Sequence, residues 1–114
     1  MADAKSLLAA IFDLSGAIHD CRNSATYLSN EKIQLGSAFD RLTTRSTLIK
    51  LHEAHVDAQP QVDLQAAQDQ VVRARDLLLA ANRKSERREA IAETFETLDL
   101  LDPLLPDSAQ PFLM

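Results

Sequence analysis

Tryptophan is absent from the chain, and its 114 residues hold one tyrosine, four phenylalanines, two glycines, four prolines and one cysteine. Each scarcity excludes something. With so few aromatic and β-branched residues there is little to line the pleated faces of a sheet. Both glycines, Gly16 and Gly36, sit inside long periodic stretches, so the tight turns that strands require are missing as well. A lone thiol, Cys21, rules out a disulfide within the chain and fits a reducing compartment, the cytoplasm. No stretch reaches the roughly 18 apolar residues of a membrane span. The apolar run from Leu7 to Phe12 is cut short by Asp13, which also argues against a secretory leader. Gly-rich phosphate loops, nucleophile elbows and Cys-x-x-Cys pairs do not occur, so no cofactor is expected.

A basic excess is lacking too. The formal charge is −5. Residues 1–56 and residues 57–92 each balance six acids against six bases, whereas residues 93–114 carry five acids and no base. Nucleic-acid duplexes and anionic membranes call for a dense cationic face, so neither is expected as the main partner. The single basic concentration, Arg83, Lys84, Arg87 and Arg88, is interleaved with Glu86 and Glu89 and reads as a solvated helix face or loop.

What the chain does hold is helix formers in helical rhythm: Ala, Leu, Gln, Glu and Arg dominate. Apolar or small residues recur at Leu7, Ile11, Leu14, Ile18, Cys21, Ala25 and Leu28, spaced alternately by four and three, with Leu8 and Phe12 widening the stripe. Asp3 is placed to cap this helix. The same register continues through Leu35, Phe39, Leu42, Ile49 and Val56, with Ser29-Asn30 as the candidate turn. Such a turn would set Ser24-Ala25 beside Gly36-Ser37. Thr43, Thr44, Ser46 and Thr47 are expected to weaken or kink the second helix. Pro60 forces a boundary. Asp63 is placed to cap a third helix whose stripe is Leu64, Ala67, Val71, Ala74, Leu78 and Ala81, broadened by Leu77 and Leu79. Polar residues from Asn82 to Glu89 mark another break. A fourth helix, Glu86 to Leu101, turns Ile91, Phe95, Leu98 and Leu101 inward, and Pro103 stops it.

The pattern therefore predicts one all-α domain: an antiparallel four-helix bundle over residues 1–102, followed by an acidic and apolar tail over residues 103–114. The alternative is a hairpin of two long helices, 4–56 and 63–101, that dimerises or pairs with another chain.

Reactive groups are thinly spread. His52 and His55 lie three apart, which misses the four-residue spacing of a zinc-protease helix, and two imidazoles alone make no metal site. Cys21 sits on the apolar stripe and reads as a buried thiol. Arg45 and His52, separated by six residues, resemble the Arg-x4-6-His pattern of HEPN-type ribonucleases. That resemblance implies a compact helical fold, His52 as general base on a ribose hydroxyl and Arg45 on the phosphate. Eight arginines and three histidines make so short a pattern easy to meet by chance.

The favoured reading is non-enzymatic: an adaptor, assembly subunit or small inhibitor that binds a protein partner or another copy of itself. It would present a helix face together with Phe95, Leu98, Leu101, Leu104, Leu105, Phe112 and Leu113, because acid and apolar residues alternate there as in segments that dock into grooves; the alternative is that Leu104, Leu105, Phe112 and Leu113 fold back to cover an open end of the bundle.

Overall fold

In a computed structural model that describes residues 1–113, five α-helices and two short 3-10 turns account for most of the chain. They are α1 (Ala4–Arg22), α2 (Ser29–Leu51), α3 (Glu53–Asp57), α4 (Gln61–Ala80) and α5 (Lys84–Leu101), followed by 3-10 turns at Asp102–Leu104 and Asp107–Phe112. No strand occurs among the described residues. The four long helices pack together around one core, and the single helix from 4 to 56 is not formed.

The helix starts are set by side chains that satisfy the free amides of a first turn. Asp3 caps α1: its carboxylate accepts the Ser6 N–H at 2.7 Å, and the Ser6 hydroxyl accepts the Asp3 N–H at 2.9 Å. Helices α2 and α5 use a glutamate at their third position instead. Glu31 accepts the Leu28 N–H at 2.8 Å, and Glu86 accepts the Arg83 N–H at 2.9 Å. Asp63 does not cap α4, which starts two residues earlier, just after Pro60, where the missing N–H costs nothing.

The end of α1 departs from the periodic pattern. The apolar stripe continues to Leu28, yet the helix stops at Arg22, and Ala25 and Leu28 are exposed. Local side-chain chemistry wins here. The Asn23 amide donates to the His19 carbonyl at 3.0 Å, and the Ser24 hydroxyl accepts the Thr26 N–H at 3.1 Å. Tyr27 then anchors the loop, its hydroxyl donating to the Leu78 carbonyl at 2.8 Å. With the turn earlier than Ser29-Asn30, Gly36 faces the Arg22 guanidinium rather than Ser24-Ala25. A Cβ there would stand 3.5 Å from it.

The hydroxyl-rich patch does not break α2. Thr43, Thr44 and Thr47 each donate to the carbonyl four residues back, so the hydroxyls are satisfied within a continuous helix. That helix ends at Leu51, with His52 as its C-cap. The short α3 and the Pro60 corner then carry the chain under α1, where the Asp57 carboxylate accepts the Ala4 N–H at 2.7 Å and Gln61 donates to the Ala2 carbonyl at 2.9 Å.

This crossing decides the topology. Ser6 meets Gln68 and Cys21 meets the Leu78 carbonyl, so α1 and α4 run side by side in the same direction. Glu31 meets Arg87 and Arg45 meets Asp102, so α2 and α5 are parallel as well. Within the pairs α1/α2 and α4/α5 the helices are antiparallel. Around the core the order is α1, α2, α5, α4, and the α2/α5 seam is thinner than the other three. The arrangement is thus two antiparallel hairpins laid side by side, not a ring in which every neighbour is antiparallel.

Leu7, Ile11, Leu14, Ile18, Leu35, Leu42, Ile49, Leu64, Val71, Leu78 and Leu101 are essentially sealed from solvent, and all of them belong to the periodic stripes. Phe12 and Leu79, expected to widen those stripes, instead face solvent, at 77% and 58% exposure. The tail belongs to the same core. Leu104, Leu105 and Ala109 are buried, so residues 103–113 close one end of the helices and do not stand apart as a separate segment. Met114 lies outside the described residues.

Candidate functional site

Two ion pairs bind the α2/α5 seam, one buried and one half-buried where α2 meets the turn that follows α5. Glu31 and Arg87, whose side chains are 5% and 10% exposed, meet at 2.8 Å, and Arg87 also donates to the Asn82 carbonyl at 2.6 Å. Burial pushes the Glu31 carboxyl up, but the Leu28 N–H and the Arg87 guanidinium outweigh it, and the group titrates below the ordinary glutamate range. Fourteen residues further along α2, Arg45 grips Asp102 with two nitrogens at 2.6 and 3.1 Å and donates to the Arg41 carbonyl at 3.1 Å.

These pairs correct the reading of the basic cluster. Arg83, Lys84 and Arg88 are exposed, as a solvated face requires, but Arg87 is core. Sequence spacing did hold the signal. Arg87 stands one helical turn before Ile91, Glu31 one turn before Leu35, and Arg45 between Leu42 and Ile49, so opposite charges occupy inward positions of the two helices.

Around the Glu31–Arg87 end of the seam lies a cleft of about 520 Å³. Leu28, Ile91 and Phe95 supply its apolar lining, Asn30 and Gln34 a polar edge, and Lys84 and Arg88 its cationic edge. Its one acid, Glu31, is held by Arg87. Among the described residues neither Lys84 nor Arg88 forms an ion pair. Phe95 also lines a further hollow of about 300 Å³ along the same seam, with Arg41, Leu98, Asp99 and Leu113. The Arg41 guanidinium stands 5.9 Å from the Phe95 ring centre.

The seven residues expected to meet a partner therefore separate. Leu98, Leu101, Leu104 and Leu105 are inside the chain's own core, the fate open to apolar groups that can close a helix end. Phe95 and Leu113 are half-buried on the seam, and Phe112 is 64% exposed. Leu28, Lys84, Arg88 and Ile91, which complete the cleft, were not foreseen. Their grouping depends on how α2 lies against α5.

Other reactive side chains do not converge. Cys21 is buried, its thiol near the Leu78 carbonyl at 3.5 Å, and burial raises its pKa. Arg45 of the ribonuclease-like pair is engaged by Asp102, while His52 caps the far end of α2. Among the described residues, no three His, Cys, Asp or Glu side chains group as metal ligands, and no helix is long and apolar enough to cross a membrane.

Comparison with known proteins finds no matching family model, no matching curated protein and no matching solved structure.

Proposed function

We propose that this chain is a non-enzymatic protein-interaction module, an adaptor, assembly subunit or small inhibitor, built on a four-helix bundle and working through the α2/α5 cleft. The observation that carries the reading is the composition of the cleft. Exposed Leu28 and half-buried Phe95, with Ile91 forming the floor between them, lie beside the exposed cations Lys84 and Arg88. Leu28, the residue that precedes α2, is 50% exposed, surface that a partner in the cleft would cover. The tail contributes beyond the cleft, where Leu113 lines the neighbouring hollow that shares Phe95. A cytoplasmic setting accords with the unpaired thiol, and a protein partner accords better than nucleic acid or lipid with a surface this sparse in positive charge.

The test is capture of partners from the cells that make the protein, comparing wild type with Arg88→Glu/Ala92→Glu. Both positions are exposed on α5, so the variant folds and carries two carboxylates into the cleft. A protein retained by wild type and lost by the variant supports the reading; identical retention by both overturns it. The ribonuclease alternative requires Arg45 to exchange Asp102 for a phosphate. No RNA cleavage that disappears in His52→Ala is expected.

A further inference from the structure

The α1/α4 seam lies on the side of the molecule opposite the α2/α5 seam, because the helices follow one another around the core as α1, α2, α5, α4. It has the reverse character. Phe12, at 77% exposure, and Leu79, at 58%, stand over a shallow hollow of about 550 Å³ beside Gly16. A Cβ added at Gly16 would meet nothing within 4 Å, so the hollow is open to a visiting side chain. The edge is acidic: Asp13, Asp20 and Asp76 surround it, and Arg75, which bridges Asp76 at 2.8 Å and Asp13 at 3.7 Å, is its only cation. Three carboxylates against one guanidinium leave this face about two charges negative. Across the molecule, Lys84 and Arg88 leave the cleft about two charges positive once Glu31 is set against Arg87.

We propose that these two faces are partners: the Phe12 face of one copy docks in the α2/α5 cleft of the next, with Phe12 against Leu28 and Phe95 and the aspartates against Lys84 and Arg88. This assignment rests on the reading of the cleft as an interaction surface and names its occupant as a second copy of the chain. Two like faces would set acid against acid, or base against base, so charge disfavours a symmetric pair. Joining unlike faces leaves one free face at each end, and such contacts add further copies unless the ring happens to close. The aromatic anchor supplies a buried contact and the charges set register and orientation.

Light scattering and sedimentation test this. Wild type is expected to gain mass with concentration and to lose it as salt rises from 50 to 500 mM, since the edge charges are exposed and screened. Phe12→Asp spoils one face and Arg88→Glu/Ala92→Glu the other, and all three positions are exposed, so each variant keeps its helical circular dichroism and its thermal transition. Each alone is expected to stay monomeric. Mixed in equal amounts they are expected to form a one-to-one dimer that grows no further, because one intact cleft then meets one intact Phe12 face. A wild type that remains monomeric up to millimolar concentration overturns the proposal, as does association that survives either variant or a mixture that fails to pair. A monomer that still retains another protein through the cleft overturns self-association while leaving the interaction module standing. Loss of cleft-dependent binding of every kind removes both.

Discussion

At the scale of single residues, the polar groups inside this protein are the ones whose removal should be felt most, because each is buried with a specific partner. No buried side-chain nitrogen or oxygen among the described residues lacks one. Glu31→Gln removes the charge that balances Arg87 and leaves a buried guanidinium facing an amide. About 3 kcal/mol of stability should be lost in urea unfolding, and the double change Glu31→Met/Arg87→Met should restore much of it. The pair also writes a pH dependence. Because the folded Glu31 carboxyl titrates below its ordinary value of 4.5, its contribution is complete above that value and is lost as pH falls through the lowered one. Wild type should weaken more steeply than the double variant in acid. Tyr27 gives the opposite sign. Burial, with Cys21 and Glu31 nearby, raises its phenol above the usual 10.0. Its contribution is present below pH 10 and fades as pH rises towards the raised value. Tyrosinate absorbance of the folded protein should therefore appear at more alkaline pH than in urea, and Tyr27→Phe should abolish that signal.

At the scale of elements, the informative pieces are the tail and α3, both too short to be stable alone. The 3-10 turns after α5 are held by burial of Leu104, Leu105 and Ala109 and by the grip of Arg45 on Asp102. Leu104→Ala should cost about 2 kcal/mol by thermal or urea unfolding, a cost expected of core and not of a mobile extension. Removing residues 103–114 altogether should cost more and raise binding of a hydrophobic dye. If both changes are silent, the tail is not part of the core. The segment α3 is tied down by Val56 beneath α1 and by the bond from the Ala4 N–H to Asp57. Severing that bond with Asp57→Ala removes an anchor for the start of α1 as well as for α3.

At the scale of the molecule, extents of 41 × 28 × 18 Å describe two layers of helices, each layer about one helix diameter thick. In so thin a body every long helix keeps one side in water, which is why large apolar residues such as Phe12, Ile33, Val62 and Leu79 remain outside although a continuous core exists. Hydrogen exchange should follow the same geometry. Amides near Leu14 on α1 and Val71 on α4 should exchange only through global unfolding, because their helices share a well-filled interface. Those of Glu53–Asp57 should exchange through local opening at least a hundredfold faster. Equal protection in the two regions would contradict the description of α3 as a marginal link.

The sequence by itself determined the helical class, the stripes that became the core, the cap at Asp3, the corner at Pro60 and the stop at Pro103. All of these depend on local periodicity, on capping groups or on the missing amide of proline, and those operate within a few residues. Tertiary structure decided the rest. Periodicity ran on through Ala25 and Leu28, but a turn made by Asn23, Ser24 and Tyr27 took precedence, since the Tyr27 hydroxyl finds its acceptor on α4, 51 residues away. Whether Phe12 faced in or out, whether Arg87 was solvated or buried, and whether Leu104 docked on a partner or on its own helices depended on which neighbour lay opposite. The cleft owes its existence to the diagonal crossing through α3, which set α2 beside α5 in parallel. No spacing within a single helix encodes that placement, because it is a balance of contacts among all four.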